Sequence, residues 1–152
     1  FHRQLPPFFI FNFDLSSSHV IPAMIHKFIE AKEQRAPHVT LWGTGKPSRE
    51  FLYVEDAAEG ILLAGETFDK AEPCNLGNQD EIKICDLAQL IRELVGFAGE
   101  IVWDSSKPDG QPRRRLDVSR AHREFGFKSR TPLRGGLQRT IQWYLQKQQV
   151  AA

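Results

Sequence analysis

Apolar residues recur at helical spacing at several places in the chain. Val20, Ile21, Met24, Ile25, Phe28 and Ile29 form the first such stripe, the signature of a helix with one buried face. Ser16-Ser17-Ser18 precedes it as a start signal. Pro22 falls in the first turn, where its missing N–H does little harm, and Pro37 closes the helix near Arg35. A second helix is expected from Ala57 to Phe68, capped by Asp56, with Ile61, Leu62, Ala64 and Phe68 inward. A third, capped by Asp86, runs through Val95 with Leu87, Leu90, Ile91 and Leu94 inward, and Gly96 ends it. Ser119 to Phe125 is short and stops at Gly126. The last starts at Thr131-Pro132 and carries Leu133, Leu137, Ile141, Tyr144 and Leu145, with a polar tail from Gln146 that should fray.

Between the helices lie short strand-like runs: Val39–Trp42, Phe51–Val54, Pro73–Gly77, Glu81–Ile84 and Ile101–Trp103. The sum is mixed α/β with a small sheet. Residues 1–13 fit no period. They hold five Phe and the Pro6-Pro7 pair, which excludes a regular helix there. The division expected is an atypical apolar segment, 1–13, followed by one domain, 14–152.

The stretch Trp42 to Asp56 organises the rest. It leaves an apolar run, turns through Gly43, Gly45 and Pro47, presents Lys46, Ser48 and Arg49, and re-enters Phe51-Leu52-Tyr53-Val54. An arginine fork and an indole on one loop suit a phosphorylated, ring-bearing ligand. The plain alternative is a hairpin with a chance basic loop. A second polar loop, Asp104 to Pro112, leads into Arg113-Arg114-Arg115.

Composition narrows the partners. Charged residues make up 26% of 152, and the net charge is +1. No global field favours nucleic acid or an anionic membrane. Three arginines without a wider basic face or interleaved aromatics fit a solvated face, or a single ligand-facing arginine, better than a nucleic-acid platform. No apolar run approaches the roughly 20 residues that span a bilayer. Cys74 and Cys85 have no metal-ligand spacing and no framework of partners. They read as small packing residues in a reducing cytoplasm, and no metal site is expected. Gly43-Thr44-Gly45 fails the dinucleotide fingerprint because position 48 is Ser and no βαβ unit starts there. No Tyr-x-x-x-Lys follows Tyr53 or Tyr144.

His19 lies at the start of the first helix, where unsatisfied amides favour a neutral imidazole. That suits acid/base work or a hydrogen bond to a ligand; a partly exposed cap residue is the alternative. Lys27, eight residues and two turns on along the same general face, reads by itself as a solvated lysine.

Several segments carry a resemblance: Ser18-His19-Val20-Ile21-Pro22-Ala23, Trp42-Gly43-Thr44-Gly45, Pro47-Ser48-Arg49-Glu50-Phe51-Leu52-Tyr53-Val54-Glu55-Asp56, Asn75-Leu76-Gly77 and Ser106-Lys107-Pro108-Asp109-Gly110. Together they resemble the GDP-L-fucose synthase family of extended short-chain dehydrogenases/reductases. The match runs from about Asn12 to Gln146. It implies NADP-dependent 3,5-epimerisation and 4-reduction of a GDP-4-keto-6-deoxy sugar. It also implies that these residues form the C-terminal substrate-binding part, an epimerase/dehydratase-like α/β fold whose Rossmann half is missing. Residues 1–11 depart from the family, as a truncated product, a splice product or a misplaced gene start would.

The resemblance further implies roles. His19 is similar to the family's epimerisation acid and also lies near the cofactor. Lys27, Trp42, Arg49 and Asp109 match substrate contacts, with Arg49 on the diphosphate. It implies a homodimer of the full-length enzyme and an isolated chain without activity. The alternatives are another extended nucleotide-sugar epimerase or reductase, and a non-catalytic remnant.

Overall fold

The computed structural model describes residues 19–151, with side chains as far as Gln149. The apolar segment 1–13 and the Ser16–Ser18 start signal lie outside the described residues. The elements are α1 (Val20–Glu33), β1 (His38–Trp42), β2 (Ser48–Glu50), α2 (Val54–Thr67), β3 (Glu81–Lys83), α3 (Ile84–Val95), β4 (Glu100–Asp104), β5 (Arg113–Arg114), α4 (Ser119–Phe125) and α5 (Leu133–Ala151). Mixed α/β with short strands is therefore the architecture observed.

β1 and β4 pair in parallel, from His38 beside Glu100 to Trp42 beside Asp104. Along β1, Val39 and Leu41 point inward while His38, Thr40 and Trp42 face out, the alternation a half-buried strand demands. Met24, Ile25, Phe28 and Ile29 of α1 meet Leu87, Ala88 and Ile91 of α3 over these strands, and Leu137, Ile141 and Tyr144 of α5 close the layer. Phe28 and Leu87 are fully buried, each contributing about 2–3 kcal/mol. Gly96 ends α3 with φ 71° and donates to the Arg92 and Glu93 carbonyls, the left-handed stop expected of it.

A second sheet has the order β3-β2-β5. β2 runs antiparallel to β3, Arg49 opposite Ile82. It runs parallel to β5, Ser48 beside Arg113 and Arg49 beside Arg114. The hairpin alternative for the Trp42–Asp56 stretch is thereby excluded. β1 and β2 belong to different sheets, and the loop between them crosses from one to the other.

Several expectations are corrected. Phe51–Tyr53 is not strand, and α2 begins at Val54 with Tyr53 as its cap residue, so Asp56 lies inside the helix. Asp86 also lies in the first turn of its helix and not at the cap, which is Lys83. Pro73–Gly77 carries no strand. Ile61 and Leu62 are 64% and 68% exposed, whereas Asp56 and Gly60 are buried. A Cβ at Gly60 would stand 2.8 Å from the Phe127 ring and 3.1 Å from Leu76. The missing side chain at Gly60 lets α2 turn that edge inward, leaving the isoleucine and leucine outside. The polar tail from Gln146 continues as helix to Ala151. Cys74 and Cys85 are free and half-buried.

Candidate functional site

Two polar loops leave the carboxyl ends of neighbouring parallel strands, the place where open α/β sheets form ligand crevices. One follows β1 and the other follows β4. Gly43 donates to the Asp104 carbonyl at 2.9 Å and ties their bases together. Further out, both Asp109 carboxylate oxygens accept from Thr44, at 2.6 Å from its N–H and 2.7 Å from its hydroxyl. The hydroxyl and N–H of Thr44 hold the Asp109 carboxyl below the usual aspartate range.

The glycines make this latch possible. Gly43 has φ 83° and Gly45 φ 71°, conformations that burden any other residue. A Cβ at Gly43 would collide with the Asp109 carboxylate, and one at Gly45 would come within 2.7 Å of the Trp103 ring. Trp-Gly-Thr-Gly is thus a requirement of close loop packing.

Trp42 ends β1 with 66% of its surface exposed. Lys27 stands 5.8 Å from its ring centroid and Lys107 5.6 Å, cation–π distances. Lys27 also donates to the Thr40 carbonyl at 3.0 Å, and burial lowers the affinity of its amine for a proton. It is anchored against β1, not loose in solvent as its position alone had implied. Arg49 is half-buried on β2. Its guanidinium donates to the Ser48 carbonyl at 2.7 Å and reaches 3.8 Å from the Cβ position of Gly110. Lys27 of α1, Trp42 at the end of β1 and Arg49 of β2 therefore all border the two loops, the second of which carries Asp109.

His19 stands apart. It is exposed, makes no side-chain cap bond, and precedes α1. Eight residues separate it from Lys27, about 12 Å along the axis and some 80° around it, so the two do not share a face. His19 lines an apolar cavity of about 260 Å³ with Val20, Ile21, Tyr53, Val54 and Leu133.

The register exposes residues that sequence reasoning passed over. Arg114 shares a face with Arg49 across the β2–β5 pair. The arginine run hid it, because nothing in three consecutive arginines says which one faces where. Arg113 turns the other way onto Glu81, and Arg115 lies near Glu50. Burial raises the Glu50 carboxyl, against the Leu116 N–H and Arg115, which lower it. Lys107 sat within the Ser106–Gly110 segment, yet only the β1–β4 pairing brings it to Trp42. Among the described residues no cluster of three or more His, Cys, Asp or Glu could hold a metal, and no helix is long and apolar enough to cross a membrane.

A loop-borne indole flanked by two ammonium groups, beside two guanidiniums on one strand pair, can cover a ring and grip adjacent phosphates. The described residues do not fit a dinucleotide cradle. The glycine turns face Asp109 and Trp103 and open no helix N-terminus.

The profile of the NAD dependent epimerase/dehydratase family matches residues 7–77. The fold is that of part of an extended short-chain dehydrogenase/reductase of this kind. Within that class the chain is similar to GDP-L-fucose synthases. It is 46% identical to "Probable GDP-L-fucose synthase 1" of Oryza sativa subsp. japonica over 135 residues, 89% of this chain and 41% of that protein. It is 44% identical to the GDP-L-fucose synthase of Escherichia coli K12 over 146 residues, 90% of this chain and 45% of that protein. The solved GDP-L-fucose synthetase of Naegleria fowleri bound to NADP superposes with a TM-score of 0.85 at 33% identity, covering 91% of this chain and 43% of that one. The chain thus spans somewhat under half the length of the relatives it matches.

Proposed function

We propose that this chain is the GDP-sugar-binding part of an NADP-dependent enzyme that epimerises and reduces GDP-4-keto-6-deoxy-mannose to GDP-L-fucose. The observation that carries the reading is that Lys27 of α1, Trp42 at the end of β1 and Arg49 of β2 border the loops that follow β1 and β4, the second of which carries Asp109. Trp42, with Lys27 and Lys107 beside it, offers a ring-covering wall. Arg49 and Arg114 take the diphosphate. Asp109 acts mainly as the latch that shapes the loops, with lone pairs to spare for a ligand hydroxyl or the guanine edge.

His19 is the candidate acid for exchange at C3 and C5. Its exposure, the absence of a side-chain cap bond and the adjoining apolar cavity support that role. Hydride chemistry belongs to NADP, and this reading assigns the groups that would hold it to sequence outside this chain. The complete enzyme is taken to be a cytoplasmic homodimer.

The test is an assay in two arms. Purified chain with NADPH and the keto-sugar should leave the nicotinamide absorbance unchanged. The same chain fused behind the unmatched part of the rice relative should consume NADPH. In that fusion, His19→Gln should suppress solvent deuterium wash-in at C3 and C5 by roughly 10²–10⁴-fold while NADPH binding persists. Turnover by the chain alone, or normal wash-in in the variant, contradicts the assignment.

A further inference from the structure

The sheet β3-β2-β5 is small for what it holds. Its strands have three, three and two residues, and β2 and β5 place Arg49 and Arg114 side by side. Like charges on adjacent positions of a sheet oppose pairing. Side chains on the other face offset part of that repulsion.

That face carries a compact set of bonds. Ser48, Glu50, Glu81 and Arg113 all project there, because Ser48 is beside Arg113, Glu50 is opposite Glu81 and strand residues alternate in direction. Arg113 of β5 forks onto Glu81 of β3, with Nε 2.9 and 3.0 Å from the two carboxylate oxygens and Nη2 2.9 Å from Oε2. The Ser48 hydroxyl of β2 donates to the same carboxylate. The fork and the hydroxyl draw the Glu81 carboxyl down to about 2. One carboxylate therefore spans all three strands from below, and the two arginines stand on the upper face.

We propose that Glu81, Ser48 and Arg113 are positioning residues that set the spacing of Arg49 and Arg114 for two adjacent phosphates. The clamp does not touch ligand. It fixes β5 against β2, so that the second guanidinium meets the second phosphate. This inference rests on the nucleotide-sugar reading and specifies which groups make that site prefer a diphosphate.

The test uses the whole chain, titrated calorimetrically with GDP and with GMP. The unaltered chain should favour GDP by about tenfold or more, the work of a second charged fork. Glu81→Gln should shrink that preference to about twofold while GMP affinity stays the same, since one guanidinium suffices for one phosphate. Arg113→Lys keeps the charge but loses the fork and should fall between. Glu93→Gln breaks a forked pair of the same kind with Arg134 elsewhere and should behave as the unaltered chain. In an Arg49→Ala background, Glu81→Gln should add no further loss. Should Glu81→Gln fail to fold, Ser48→Ala removes one bond of the clamp, and the preference should still drop partway. Glu81→Gln retaining the full GDP preference overturns the proposal. So does an equal loss for GDP and GMP that tracks a fall in melting temperature. An unaltered chain that binds neither nucleotide overturns the nucleotide-sugar reading itself.

Discussion

At the scale of single residues, Asp109 and Gly43 show how closely the two loops depend on each other. The Asp109 carboxyl lies below its ordinary range because Thr44 donates to it twice. Folding therefore favours the ionised form. The latch contributes fully above the ordinary aspartate range and is lost only as pH falls through the lowered folded value. The Thr44 amide resonance, followed by NMR in an acid titration, should shift with a midpoint below that of an unperturbed aspartate. Gly43→Ala should cost about 1–3 kcal/mol for the left-handed backbone and also displace Asp109. Thermal melting and GDP affinity should fall together in that variant. The candidate residues were chosen in the sequence by chemical type: an indole, a fork and a carboxylate near glycines. Arg114 and Lys107 were not, because only strand pairing decides which members of a polar run meet the site. The role of Asp109 as a latch was likewise invisible, since Thr44 lies 65 positions away.

At the scale of elements, α2 is the instructive case. Its apolar period was correct, but its orientation was not. Periodicity says that a helix has an apolar stripe and says nothing of whether this chain supplies the cover. The inward edge is set by Gly60, against Phe127, and by Asp56, which is only 6% exposed. Asp56 accepts from the Ser129 hydroxyl at 2.9 Å, the Arg130 N–H at 3.2 Å, and the Thr131 N–H and hydroxyl at 2.9 Å each. It thus anchors the entry to α5 from a helix some 75 residues earlier. Burial by itself would raise this carboxyl, but the donors outweigh it and the net shift is downward. Asp56→Ala should destabilise the chain by about 3 kcal/mol, the cost of leaving such donors unmet. Asp56→Asn keeps one acceptor oxygen and should lose less. Urea unfolding of both variants measures the difference. α3 and α4, by contrast, end at the glycines expected of them, Gly96 and Gly126, because a left-handed stop is a local matter.

For the whole molecule, the exposed stripe Val54, Ile61 and Leu62 belongs to a chain that spans only 41–45% of the relatives it matches. Apolar surface of this kind favours association. Sedimentation velocity should show concentration-dependent self-association, and Leu62→Lys should reduce it without lowering the melting temperature. Sedimentation that does not change with concentration would contradict this.

The central claim is that this chain recognises a GDP-sugar through the two loops and Arg49. Isothermal titration with GDP-L-fucose tests it most directly, with UDP- and dTDP-sugars and NADPH as comparisons. The account predicts saturable binding of the GDP-sugar, weaker binding of the other nucleotide sugars and none of NADPH. It further predicts a loss of about 2–4 kcal/mol in Arg49→Ala, where a phosphate charge is left unpaired. Equal affinity for all three nucleotide sugars, or an Arg49→Ala chain that binds as well as the unaltered one, would contradict it.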